Sequence, residues 1–595
     1  MSNRNVEAIY ALAPSQQGML LETLSGPAAG IHIEQSTYLL RGQLDVAAFE
    51  QAWQRVVARH AILRTAFVWK DQPEPLQVVL RHVDVPVEQQ DWRGIGEEQR
   101  RERLQAFLDA DRRRGFKLAR APLMRLALLQ IADDAFYFVW LHHHILMDGW
   151  CRPVIVKEVL TLYQAICTGT DAQLGHSRPY RDYIAWLKQR DRDQAERFWR
   201  AKLAGFAEPT PLGRVAARSA HADLAEPYGY ASGRLPAEAT AALRALASRR
   251  HLTLNTVLQG VWALLLSRYG ERDDVVFGAT VSGRPGDLPG IESTIGLFIN
   301  TLPVRVRVEP EAELWPWLAG IQAENLELRQ FEYVPGGQVH EWSDAPPTRP
   351  LYESILVVES YAVDAAMLGA SGLAIEPVQD GSNVARTKYA LAILAATGAE
   401  LAIQLVYDRR RLDAAGAERA LSHILLLLGC IAAEPEQTLG SLLERIAPEQ
   451  APLVYAAGAE RARAGAFVAP RTPIERALAG IWQQLLGIEQ VGATYSFFEL
   501  GGHSLVATQL VARLREAFQV QLPLRALFEA PTVAAMAALI AEQTGAQSDT
   551  AADEMAEIVP DAAGQHAPFP LTDVQHAYWV GRSPAFPLGN VAAHV

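Results

Sequence analysis

The chain has 595 residues, too many for one hydrophobic core, so several compact units are expected. Hydrophobic residues at 49% and charged residues at 21% exclude a disordered or fibrous chain. The formal net charge of −12 is spread without a basic block, which argues against nucleic acid as a partner. Cys151, Cys167 and Cys430 have no ligand spacing, so a reducing compartment without a disulfide framework is expected. No apolar signal core follows Met1 to Glu7. The longest apolar run, Ile424 to Leu428, is too short to span a bilayer. A cytoplasmic location without membrane contact is expected.

In chain order, Asp45 reads as the cap of an amphipathic helix whose apolar face is Val46, Phe49, Trp53, Val56 and Val57. Strands are predicted at Leu76–Leu80 and Met124–Leu129, with a charged helix from Arg100 to Arg114 that reads as a solvated face. The apolar run Phe136–Trp140 predicts a buried strand that carries Leu141-His142-His143-His144. Strand alternation puts His142 and His144 on one face and His143 on the other. Asp148-Gly149 reads as the turn that ends this strand. A His at a strand end, followed four residues on by Asp and Gly, suits acyl transfer: the His takes a proton or orients a nucleophile, and the Gly gives clearance. Metal binding is the weaker alternative, because neighbouring strand side chains diverge and no Cys or carboxylate cluster completes a shell. No metal is expected. A purely structural histidine strand stays open at this point.

A helix follows over Val154–Ile166, and a second lobe of helices and strands runs from about Pro179 to Arg445. It holds a strand ending in Gly283-Arg284-Pro285, the apolar segment Ile295-Gly296-Leu297-Phe298-Ile299-Asn300-Thr301-Leu302-Pro303, and a strand over Leu351–Val358.

Taken in order, these stretches resemble a condensation domain of nonribosomal peptide synthetases. The resemblance rests on Gln16-Gln17 with Met19-Leu20, Arg59-His60 with Leu63-Arg64-Thr65, and His143-His144-x-x-x-Asp148-Gly149. It continues through Tyr180–Leu187, Gly283-Arg284-Pro285 and Ile295–Leu302, and covers roughly residues 8 to 445. It implies an α/β (α+β) fold of two chloramphenicol-acetyltransferase-like lobes in a V, about 1–175 and 176–445, with the active site in a tunnel between them. It also implies amide formation, with His144, Asp148 and Gly149 at the site. Asp148 is expected to pair with Arg284, and His143, Asn300 and Arg64 to support the site. Trp150-Cys151 after the Gly looks like the subtype that joins an L-configured donor to an L-configured acceptor.

Composition changes after Arg445, and residues 446–469 read as a linker. Thr472 with Pro473 signals a helix start, followed by the stripe Leu478, Ile481, Trp482 and Leu485. The segment Phe497-Phe498-Glu499-Leu500-Gly501-Gly502-His503-Ser504-Leu505 then puts a serine at a helix start, where free amides and the helix dipole favour an anion. A plain serine cap has the same local chemistry. The segment resembles the signature of a peptidyl carrier protein. That resemblance implies a four-helix bundle over 470–543, with 4'-phosphopantetheine attached to Ser504 by a separate phosphopantetheinyl transferase, and Gly502, His503 and Leu505 around it. Tyr495-Ser496 departs from the family, which usually has an acidic residue there.

A polar linker over 544–567 precedes Phe569–Arg582, which looks like the opening motif of a heterocyclization domain. Residues 568–595 are too few to build that fold, so either a piece of a longer synthetase, with a downstream heterocyclization or condensation domain, or a tail that extends the carrier's linker is expected. The roughly 25 residues from Arg445 to Pro470 cannot hold an adenylation domain, and no Gly-rich ATP loop occurs elsewhere. Loading of Ser504 by a trans-acting adenylation enzyme, and an upstream donor carrier protein, are therefore expected. Two alternatives remain: a starter-type N-acyltransferase that uses acyl-coenzyme A, and a non-catalytic condensation fold that only recruits the carrier.

Overall fold

The structure is a computed structural model. It describes residues 5–25, 31–70, 72, 74–212, 214–215, 227–346, 349–359, 373–378, 386–446, 454–455, 468–486, 488, 490–497, 500, 510–511, 513–515, 517–520, 522 and 526–549. By contacts the chain divides at Ile540 and Ala541.

The first half runs β1 (Val6–Ala11), α1 (Pro14–Ser25), β2 (Ile33–Arg41), α2 (Val46–Arg59), β3 (Thr65–Val68) and β4 (Leu76–Leu80). It continues with β5 (Val87–Asp91), α3 (Glu97–Arg114), β6 (Met124–Ala132), β7 (Ala135–His143), α4 (Cys151–Thr168) and α5 (Tyr180–Leu187). The second half runs α6 (Arg192–Leu203), β8 (Arg214–Val215), β9 (Tyr228–Leu235), α7 (Ala237–Arg249), α8 (Leu254–Gly270), β10 (Asp274–Val281), β11 (Asn300–Arg307) and α9 (Leu314–Leu328). After these come α10 (Gly336–Glu341), β12 (Ser354–Glu359), β13 (Ala374–Pro377), β14 (Leu391–Thr397), β15 (Leu401–Asp408), α11 (Ala414–Ala433), α12 (Leu439–Glu444) and β16 (Val454–Tyr455).

β7 is buried on both faces because helices cover each side of its sheet. Phe136, Phe138 and Trp140 pack with Phe49 and Trp53 of α2, while Val139 and Leu141 pack with Leu104 and Leu108 of α3. The side chain of Asp45 accepts from the Ala48 amide at 2.9 Å, so the α2 cap forms as expected. The solvated reading of α3 needs correction at its C-terminal end. Asp111 there accepts from Arg125 Nε of β6 at 3.0 Å, and Arg112 donates to the Ile33 carbonyl at 3.2 Å; both are buried.

The first sheet has the order β13-β2-β7-β6-β5, and β13 belongs to the second half of the chain. It pairs antiparallel with β2 from Ala374↔Arg41 to Pro377↔Tyr38, so a second-half segment completes the first-half sheet. The second sheet has the order β11-β10-β12-β14-β15-β9, with α7, α8 and α11 in its core. Tyr180, Tyr183 and Ile184 lie beyond the expected lobe division near 175, yet they pack in the first core. Among the described residues α11, with 20 residues, is the one helix long and apolar enough to cross a membrane, which the short run Ile424–Leu428 did not suggest. Half of it is buried, and Leu427 and Leu428 are fully buried in the second core, as in a core helix.

The next described helices are α13 (Pro473–Leu486), α14 (Ala526–Glu529) and α15 (Val533–Asp549). The Glu475 amide donates to Thr472 Oγ1 at 3.0 Å, and the Thr472 amide donates to Glu475 Oε2 at 3.3 Å, a reciprocal cap. Leu478, Trp482, Phe497, Leu510, Leu514 and Met536 form a shared core. Tyr495 is buried beside it, so the position where the family usually has an acidic residue faces inward here.

Candidate active site

β7 ends at His143, and His144 opens a short 3-10 turn over His144–Leu146. This corrects the strand alternation predicted for the three histidines: the turn, not the pleat, aims His144. The turn is held at both ends. His143 Nδ1 accepts from the Ile145 amide at 3.1 Å, and the Met147 amide donates to the His144 carbonyl at 3.2 Å.

The three rings sit in three environments. Thr23 Oγ1 donates to the Met19 carbonyl at 2.8 Å and therefore accepts from His143 Nε2 at 3.1 Å. With Nδ1 accepting and Nε2 donating, His143 is neutral, and burial pushes its pKa well below the ordinary imidazole value, helped by His32 and His144. His142 packs against Trp140 at 5.3 Å between ring centroids, and burial likewise holds it neutral. His144 is the ring with access to solvent, its side chain 15% exposed. Its Nδ1 lies 2.9 Å from the Met147 carbonyl, which only accepts, so Nδ1 carries the proton and Nε2 of the neutral ring is a bare acceptor.

Asp148 does not touch this ring. Its Oδ1 accepts from Arg284 Nη2 at 3.0 Å, its Oδ2 accepts from the Phe298 amide at 3.0 Å, and its own amide donates to the Gly296 carbonyl at 3.2 Å. The Asp148 side chain is 0% exposed and that of Arg284 is 5%. Arg284 also lies over the Phe298 ring, 4.1 Å from its centroid. Cys151 Sγ joins the knot, 3.4 Å from Asp148 Oδ1 and 3.2 Å from the Gly296 carbonyl; burial first, then Asp148, pushes its thiol up to about 12. One carboxylate thus fastens the histidine turn to the Gly283-Arg284 turn and to the Ile295–Phe298 loop.

Two glycines in those loops are required by space. Gly283 has φ +62°, and a Cβ there would lie 1.8 Å from the Phe298 carbonyl oxygen. A Cβ on Gly296 would lie 2.1 Å from the Tyr180 ring, whose hydroxyl donates to the Leu297 carbonyl. Gly149 accepts on its carbonyl from the Arg152 amide at 3.2 Å at the entry to α4. Asn300 is half-buried; its Nδ2 donates to the Glu332 carbonyl at 2.9 Å and its Oδ1 accepts from the Thr301 amide at 2.9 Å. Arg64, 5% exposed, donates to the Val57 carbonyl of α2 at 3.2 Å, to Glu7 of β1 at 2.7 Å and to the Leu80 carbonyl of β4, so it braces α2, β1 and β4 and makes no hydrogen bond to His144 or Asp148.

Two acidic groups near the site escaped the sequence reading. Glu34 of β2 lies opposite His142, and its Oε1 is 4.0 Å from His144 Nε2. The signal was a strand with Glu34, Gln35, Ser36 and Thr37 all buried, which composition cannot reveal. Glu332 is the other. Burial raises its carboxyl to about 7, with Arg329 and the Gly283 amide pulling it back. Because the folded chain holds this proton more tightly than the unfolded chain, stability is full below about pH 4.3 and falls as pH rises through 7. Glu332→Gln removes that slope: unfolding by urea should show a gain of up to about 3 kcal/mol over wild type at pH 8 and none near pH 4. Equal pH dependence in the two proteins would refute the assignment.

Ser504, Gly502, His503 and Leu505 lie outside the described residues. Phe497 and Leu510, which flank them in sequence, are each 0% exposed in the carrier core. A serine hydroxyl can form the ester bond of a phosphodiester, which is the chemistry that attachment of phosphopantetheine requires.

A family model for the condensation domain matches residues 6–451, and one for the phosphopantetheine attachment site matches residues 476–540. The first covers well over half of the chain, which belongs to the condensation-domain family and carries a phosphopantetheine-binding domain behind it. Condensation domains form amide bonds by acyl transfer, and the second domain carries 4'-phosphopantetheine covalently. The chain is 42% identical over 437 residues to one of the linear gramicidin synthase proteins of Brevibacillus parabrevis, covering 73% of this chain and 6% of that protein. It is 35% identical over 408 residues to bacitracin synthase 3 of Bacillus licheniformis, covering 68% of this chain and 6% of that protein. The chain therefore spans less than a tenth of the length of either relative. The fold is shared with a mutant starter condensation domain of rhizomide synthetase crystallised with C8-CoA, at TM-score 0.62 and 21% identity over 73% of this chain and 97% of that one.

Proposed function

We propose that this chain joins an acyl or peptidyl thioester, delivered by an upstream donor carrier, to an aminoacyl thioester held at Ser504. The observation that carries the reading is the arrangement at His144: a ring with Nδ1 fixed by the Met147 carbonyl and a bare Nε2, beside a buried Asp148–Arg284 knot that sets the loops around it. The bound group supplies a flexible arm and an activated thioester. The protein supplies the acid–base and positioning work. The free amine attacks the thioester carbonyl carbon, the C–N bond forms and the C–S bond breaks. The proton lost from nitrogen passes through His144 Nε2 to the departing sulfur, leaving an amide and a free thiol. General base catalysis of this kind is worth about 10²–10⁴-fold.

Ser504 is the attachment serine in this reading, and a phosphopantetheinyl transferase modifies it. Loading in trans by an adenylating enzyme is supported by the interval between residues 451 and 476, which is too short for a further domain. The site is cytoplasmic, and the product passes to a downstream heterocyclization or condensation domain.

Two mass measurements test this. Phosphopantetheinylated chain incubated with ATP and amino acids alone should gain no aminoacyl mass on the peptide containing Ser504, and Ser504→Ala should gain no arm at all. After loading by an added adenylating enzyme, acyl-carrier donors should yield an amide-linked product on that peptide. Self-loading, modification of Ser504→Ala, or product from acyl-coenzyme A alone would each overturn the corresponding part.

A further inference from the structure

We infer that Glu34 is the acceptor-binding residue: its carboxylate holds the α-ammonium of the incoming aminoacyl group against His144 Nε2. This rests on the condensation reading above and adds a residue to it.

Glu34 is 9% exposed, and its Oε1 is buried with no hydrogen-bond partner among the described residues. A buried carboxylate without a partner is costly, and folds retain such groups where something else satisfies them. His144 Nε2 faces this Oε1 at 4.0 Å. Because the Met147 carbonyl claims the proton of Nδ1, the facing nitrogen of the neutral ring is an acceptor. Two acceptors that face each other at this spacing cannot bond to one another. They are bridged by a group with two or more N–H donors. An sp³ nitrogen about 2.8 Å from each acceptor subtends roughly 90° between them, within the range of an ammonium group. An α-ammonium is such a group, and its unperturbed pKa near 8 leaves it charged at neutral pH. One proton then goes to solvent before attack, and the lone pair that results points at the reacting carbonyl while Glu34 keeps the nitrogen in place.

Arg112, which feels the charge of Glu34, and Arg152, which acts on His142, are engaged with other groups. Arg112 of α3 donates to the Ile33 carbonyl at 3.2 Å and to Gln35, and Arg152 of α4 lies 3.8 Å from Glu359. His142, opposite Glu34 on β7, is held neutral by burial. Glu34 and His144 are left as the pair that faces the acceptor.

The assay uses the full chain with a panel of soluble aminoacyl N-acetylcysteamine thioesters as acceptors and, for the best of them, its 2-hydroxy counterpart. Glu34→Gln should raise KM for the amine acceptor about tenfold or more, with kcat changed less than about threefold. KM for the hydroxy acceptor, which carries no charge, should stay within about twofold, as should KM for the donor. Glu34→Asp should recover part of the amine affinity. If Glu34 only paired with a protonated His144, Glu34→Gln would move the acid limb of the kcat profile and leave the acceptor KM unchanged, and that result overturns the inference. So does an equal KM increase for amine and hydroxy acceptors, which marks a structural role. Should Glu34→Gln not fold, Glu34→Asp alone decides: unchanged amine KM overturns the inference. Failure of wild type to form any amide would instead overturn the proposed function.

Discussion

Asp148→Ala is expected to cost about 3–5 kcal/mol of stability, the largest loss of any single substitution near the site. The reason is what remains behind. Arg284, with a side chain 5% exposed, keeps its charge while losing the carboxylate at 3.0 Å, and the Phe298 amide loses its acceptor at 3.0 Å. A buried charge that loses its carboxylate and an amide that loses its acceptor both carry a desolvation penalty. Three loops are then untied at once, the histidine turn, Gly283-Arg284 and Ile295–Phe298, so the rate should fall along with the stability. Urea unfolding of Asp148→Ala, Arg284→Ala and the double variant checks the cause. The two single losses should exceed their joint loss by more than about 1 kcal/mol, because each variant strands the partner that the double variant removes. Additive losses, or a single loss under about 1 kcal/mol, would show that the pair does not hold the loops. Arg284→Lys should recover little, since one point charge replaces a guanidinium that also stacks 4.1 Å from the Phe298 ring centroid.

Local chemistry was legible in the sequence, and pairings between distant segments were not. The caps at Asp45 and Thr472 and the apolar run that makes β7 followed from neighbouring residues alone, because each depends on a few positions in a row. His144 was found by its spacing to Asp148, but its direction was not: alternation assumes a strand, and β7 stops one residue earlier. The solvated reading of α3 broke down at its C-terminal end for a similar reason. Asp111 and Arg112 look like surface residues until β6 places Arg125, and β2 places the Ile33 carbonyl, against them. β13 could not be assigned to the first-half sheet at all, since four residues of second-half sequence carry no sign of their partner in β2. Glu34 was lost in the same gap. A strand with polar residues buried on both faces has no hydrophobic period, and its histidine partner is more than a hundred residues away.

His144→Ala should lower the rate of amide formation by about 10²–10⁴-fold, which corresponds to roughly 2.7–5.5 kcal/mol of transition-state stabilisation. Its stability cost should be small by comparison. The substitution removes one hydrogen bond to the Met147 carbonyl, worth about 1 kcal/mol, and leaves the Asp148 knot intact. That contrast separates the two residues: Asp148→Ala should lose folding and rate together, and His144→Ala rate alone, in paired unfolding and single-turnover measurements on the same preparations. The chemistry of the acceptor separates the two tasks His144 can perform. Aminooxy acceptors have a far less basic nitrogen that is already deprotonated at neutral pH. If proton removal is the main task, such acceptors should recover much of the lost rate in His144→Ala, and if positioning dominates they should lose as much as the amine. A rate within about threefold of wild type for the amine acceptor would sink the assignment of His144 altogether, and with it the reason for a bare Nε2 beside Glu34.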